Sequence, residues 1–101
     1  MSFMPIDRGE VICWTSLDER HVETGNCLHY DVSKNSVDPK SGYLSIHKVC
    51  DDFGTYFVLN YYDCQGQWVT DFVADTLEQT KSQAEFEFTG SRKTWKPHKS
   101  I

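Results

Sequence analysis

The sequence predicts an α+β domain, an antiparallel β-meander of four to five strands with one C-terminal helix packed on one face. Three observations carry this. Segments of alternating side-chain character recur between residues 10 and 73. Asp- and Gly-bearing turns separate the later segments, and the one stretch with helical spacing, residues 77–88, follows them all. The 101 residues are 39% hydrophobic and 14% aromatic, which suits a single domain over 1–101 whose small core gains area from large side chains. No apolar run approaches the ~20 residues that span a bilayer, so a membrane span is excluded.

The first expected strand, 10–17, sets Val11, Cys13 and Thr15 against Ile12 and Trp14. The second, 27–33, alternates Leu28, Tyr30 and Val32 with Cys27, His29 and Asp31, the pattern of a half-buried strand. Residues 34–42, with Asn35, Pro39 and Gly42, read as a loop. The third strand, 42–50, points Leu44 and Ile46 inward and Tyr43, Ser45 and His47 outward. Asp51, Asp52 and Gly54 supply a turn into the fourth strand, 55–63, with Phe57, Leu59 and Tyr61 on one side and Tyr56, Val58, Asn60 and Tyr62 on the other. Asp63-Cys64-Gln65-Gly66 is a second turn, because glycine supplies positive φ at no steric cost. A fifth strand occupies 67–73.

Thr76-x-x-Gln79 is a capping box, in which hydroxyl and amide satisfy each other's orphan backbone N–H groups. Asp75 and Glu78 suit the positive end of the helix dipole. Leu77, Thr80, Ala84 and Phe88 form one packing face, and Gly90 is expected to end the helix. The basic segment 91–101, which contains Pro97, reads as a partly frayed tail with Trp95 anchored.

One helix covers one sheet face, so strand parity decides what the other face shows. That face would carry His29, Asp31, Tyr43, His47, Tyr56, Asn60 and Tyr62, a composition closer to a protein interface than to an idle surface. Trp68, just after the second turn, is a further candidate anchor. The plainer alternative is that cross-strand tyrosine pairs only stabilise the sheet.

Ten basic against fifteen acidic residues give a net charge of −5, which argues against a nucleic-acid binder. Residues 1–75 hold five basic and twelve acidic groups and residues 76–101 hold five and three, so the acidic charge lies on the body. Such a body steers toward a basic partner or serves solubility. Cys13, Cys27, Cys50 and Cys64 contain no C-x-x-C, and the N-terminal residues show no apolar signal stretch. The expectation is a cytoplasmic protein with free thiols; a disulfide stays open if the chain is exported. Cys27, His29, His47 and Cys50 are the residue types of a zinc site, but their spacing matches no common module and Cys50 has the opposite parity to His47. No metal and no cofactor is expected. Cys27, His29, His47 and Asp31 also contain the parts of a thiol-based catalyst, yet no nucleophile elbow or phosphate loop accompanies them. A small ligand- or metal-binding module, catalytic or not, centred on Cys27, His29 and His47 is the second reading.

The segment Thr76-Leu77-Glu78-Gln79-Thr80-Lys81-Ser82-Gln83-Ala84-Glu85-Phe86-Glu87-Phe88, after Asp71 and hairpins turned by D-x-x-G, is similar to a pattern in small acidic bacterial proteins. Those proteins end in a helix of the S-L-E-x-A-x-x-Q-A-E-x-E-F type, and they are immunity proteins of polymorphic toxin systems or their relatives. The similarity covers residues 55–95, with Trp95 near its end; Thr80 stands where the pattern has Ala, and Phe72-Val73 where it has Thr-Trp or Thr-His. Its residues are cap, packing face and turn, none catalytic. The resemblance implies a non-enzymatic antidote that binds one cognate toxin, one to one, and occludes its active site. Aromatic anchors would supply affinity, so alanine at Tyr56, Tyr62 or Trp68 is expected to weaken binding far more than alanine at Asp51.

Overall fold

The computed structural model describes residues 10–24, 30–31, 36–37 and 41–97. Strand β1 (Glu10–Ser16) is followed by three two-residue strands, β2 (Val22–Glu23), β3 (Tyr30–Asp31) and β4 (Ser36–Val37). Then come β5 (Ser41–Asp51), β6 (Gly54–Asp63), β7 (Trp68–Ala74), helix α1 (Leu77–Glu87), β8 (Phe88–Thr89), a 3₁₀ turn at Ser91–Lys93 and β9 (Lys96–Pro97). The fold is α+β: five strands form an antiparallel sheet in the order β7-β6-β5-β1-β9, and the helix packs on one face.

Strands β5, β6 and β7 are the expected meander. Strand β1 lies between β5 and β9. The described part of the expected second strand, Tyr30–Asp31, pairs with Ser36–Val37 in a small hairpin of its own, inside the stretch read as a loop. The fifth place in the sheet goes to the tail, where Cys13 faces Pro97 and Trp14 faces Lys96. Trp95, the expected anchor of the partly frayed tail, packs against the core, and residues 98–101 lie outside the described part. Proline lacks an N–H to donate, so an outer strand is where a sheet tolerates it. The Lys96 ammonium stands 5.0 Å from the centre of the Trp14 ring, a cation–π contact that helps hold this edge.

Parity through β5 and β6 runs as expected. Leu44, Ile46, Leu59 and Tyr61 face α1 and form the core with Cys13, Ala84 and Phe88. Burying each large aliphatic side chain contributes about 1.5–3 kcal/mol. On this face the Tyr61 hydroxyl donates to the buried Glu87 carboxylate, which also accepts from Gln83 Nε2 at 3.0 Å. The pair Tyr61–Glu87 thus places a polar contact between sheet and helix.

Both halves of the capping box form: Thr76 Oγ1 accepts the Gln79 N–H at 3.1 Å, and Gln79 Oε1 accepts the Thr76 N–H at 3.1 Å. The far end is corrected. The helix stops at Glu87, and Phe88–Thr89 run extended against Val22–Glu23 before Gly90 turns the chain with φ of +102°. Glycine is required there twice over, by that φ and because a Cβ would lie 2.6 Å from the Arg20 carbonyl oxygen. Glu85 accepts the N–H groups of Gly90 at 2.9 Å and Arg92 at 3.0 Å, which hold its carboxyl below the usual range.

A second polar knot joins the two ends of the described chain. His21 Nδ1 accepts the Asp18 N–H at 3.0 Å, which leaves the ring proton on Nε2 to donate to Thr94 Oγ1 at 2.8 Å. Thr94 Oγ1 also lies 2.7 Å from Thr15 Oγ1 and donates to the Ser91 carbonyl at 3.1 Å.

Candidate functional site

The sheet face away from α1 was the expected partner surface, and the structure divides its residues. From β5 it takes Tyr43, Ser45, His47 and Val49; from β6, Tyr56, Val58, Asn60 and Tyr62; from β7, Trp68, Asp71 and Val73. The expected residues of 42–63 do share one face. That face is not open, because His47 is 1% exposed, Tyr62 0% and Asn60 3%, with Ser45, Val58 and Val11 buried beside them. His47, Asn60 and Tyr62 are therefore corrected from surface to interior. Tyr43, Tyr56 and Trp68 are half-buried. His29 lies outside the described residues, and Asp31 is described only through its place in β3.

The physical reason is that these polar groups bond to one another inside. Ser45 Oγ lies 3.1 Å from His47 Nε2 and 3.0 Å from Tyr62 Oη, and Trp68 Nε1 donates to Asn60 Oδ1 at 3.0 Å. A buried hydroxyl is tolerated once its hydrogen bonds are made inside. Burial pushes the Tyr62 phenol above its ordinary value, and the bond to Ser45 opposes that shift. Ser45 and His47 contain the atoms of a nucleophile and a base, but at this depth they form a polar layer of the interior.

Of the residues in the metal-binding alternative, Cys27 and His29 lie outside the described part. His47 and Cys50 point to opposite faces; Cys50 is exposed, with its Sγ 3.4 Å from Thr55 Oγ1. Among the described residues no three of His, Cys, Asp and Glu are placed to hold a metal ion. Cys13, Cys50 and Cys64 are free thiols, and burial pushes that of Cys13 up, partly opposed by Lys81. No helix among the described residues is long and apolar enough to cross a membrane.

Among the described residues, two surface concavities gather polar side chains. A groove of about 540 Å³ runs between outer strand β7 and α1, lined by Phe72, Val73, Ala74, Asp75, Glu78, Gln79, Ser82 and Gln83. Its wall is partly committed, since Glu78 pairs with Arg92 at 2.7 Å. A smaller one, about 240 Å³, gathers Asp18, His21 and Cys64 with Leu17, Glu23, Ser41 and Phe88. It does not assemble a thiol–imidazole pair, because both ring nitrogens of His21 already bond to Asp18 and Thr94.

The residue that strand parity did not single out is Phe53, 99% exposed in the turn between β5 and β6. The signal for it in the sequence is an aromatic residue inside an Asp-x-x-Gly turn, where polar residues are the rule. Compared with protein-family models, curated proteins and solved structures, the chain finds no match.

Proposed function

We propose that this chain is a cytoplasmic immunity protein that binds a cognate bacterial toxin, one to one, and blocks its active site without chemistry of its own. The observation that carries the reading is the Thr76–Phe88 pattern of small immunity proteins. Its cap and packing residues here build a boxed helix on an antiparallel sheet. The acidic balance of residues 1–75 supports it, because a toxin that handles nucleic acid or a nucleotide presents a basic cleft that carboxylates can mimic and find quickly. The contact area would draw on exposed and half-buried side chains, Tyr43, Tyr56 and Trp68 among the expected set, since His47, Asn60 and Tyr62 are closed off.

Co-expression with the product of the adjacent upstream gene tests the proposal, scored by cell growth and by co-elution on a sizing column. Restored growth with a one-to-one complex is the expected result. Normal growth in the absence of this chain, with no co-elution, would overturn it.

A further inference from the structure

The two longest strands outrun their neighbours. Among the described residues, pairing of β1 with β5 reaches Lys48 and pairing of β7 with β6 starts at Phe57, so residues 49–51 and 54–56 pair with each other and with no other described strand. At about 3.4 Å per residue the β5–β6 hairpin extends roughly 10 Å beyond the described ends of β1 and β7. Residues 50–55 are all exposed. The tip is ordered by chemistry of its own: Asp51 Oδ1 accepts the Phe53 N–H at 2.8 Å, and Gly54 takes φ of +126°. What this short finger presents is a phenyl ring 99% exposed, flanked by Asp51 and Asp52.

A phenylalanine in water on a tight turn does nothing for the fold, and on docking it can bury about 150–250 Å². A projecting aromatic with carboxylates around it has the form of an interface anchor inside a charged rim. We infer that the β5–β6 finger is the segment that enters the partner, with Phe53 in an apolar pocket and the carboxylate of Asp52 against basic side chains of a protein cleft. Asp51, already bonded to the Phe53 N–H, positions the ring. The inference rests on the immunity reading and sharpens it, since a basic active-site cleft is the place a narrow acidic finger would plug. A second copy of this chain is a poor occupant, because each copy carries a net charge of −5.

The test uses the full chain co-expressed with the neighbouring toxin, as wild type, Phe53→Ala, Asp52→Asn and Gln65→Ala. Gln65 is exposed in the turn at the opposite end of β6 and serves as the control. Phe53→Ala should raise the dissociation constant about thirtyfold or more and abolish growth protection, with an unchanged melting temperature. Asp52→Asn should slow association severalfold, an effect that shrinks as salt is added. Gln65→Ala should behave as wild type. Protection by wild type that survives undiminished in Phe53→Ala would overturn the finger and leave the immunity reading standing. No protection by the wild type would overturn both, and a homodimer that Phe53→Ala dissociates would assign the finger to a second copy instead.

Discussion

The two turns of the meander, at opposite ends of β6, share one sequence formula and differ in what surrounds them. Asp51-Asp52-Phe53-Gly54 and Asp63-Cys64-Gln65-Gly66 both place an Asp first and a positive-φ glycine fourth, with φ of +126° and +84°. In both the Asp side chain accepts the backbone N–H two residues on, at 2.8 Å. Asp63 goes further, accepting Gln67 N–H at 3.0 Å as well, while its carbonyl accepts Gly66 N–H. The second turn also rests on the body, since the backbone of Cys64 comes so near Gly42 that a Cβ there would stand 2.7 Å from Cys64 Cα. The first turn touches nothing comparable; a Cβ on Gly54 would meet no atom within 4 Å. One formula thus makes a buttressed corner and a free-standing finger, and only the finger carries an apolar side chain into water.

That contrast can be broken most severely at Gly42. Alanine there must displace backbone atoms of Cys64 and Asp63, and a loss of about 3 kcal/mol is expected as a lower denaturant midpoint at constant slope. Asp63→Ala removes two accepted backbone bonds and should cost about 1.5 kcal/mol by the same measurement. Gly54→Ala meets only the backbone penalty of its φ in a turn free to relax, and about 1 kcal/mol is expected. Asp51→Ala removes a single solvent-exposed bond, for about 0.5 kcal/mol. Phe53→Ala should change stability by less than about 0.5 kcal/mol, because the ring leaves nothing behind in the fold. A reversed order at 63 and 51 would mean that the finger is the supported turn.

Much of the finger's frame was legible in the sequence, and its role was not. Period-2 alternation assigns Leu44, Ile46, Leu59 and Tyr61 to one side of the sheet and Ser45, His47, Asn60 and Tyr62 to the other, as the register has them. Alternation does not say whether a side is covered. Tyr and His read as surface residues until the Ser45–His47–Tyr62 bonds are seen inside. The capping box was legible because Thr76 and Gln79 are three residues apart, whereas the pairing of Lys96–Pro97 with β1 joins residues some 80 positions apart and leaves no local mark. The same holds for the His21–Thr94 bond. Phe53 was on the page as a letter in a turn. Its protrusion follows from where, among the described residues, β1 stops pairing with β5 and β7 with β6, a property of four strands at once.

The central claim is that the tip of this hairpin enters the partner, while Tyr62, closed inside the sheet face, does not meet it. Hydroxyl-radical footprinting of the chain, free and bound to its toxin, reads both regions in one experiment. The account predicts rapid oxidation of Phe53 in the free protein, its protection in the complex, and slow oxidation of Tyr62 in both states. Equal labelling of Phe53 with and without the toxin, or rapid labelling of Tyr62 that the toxin suppresses, would contradict it.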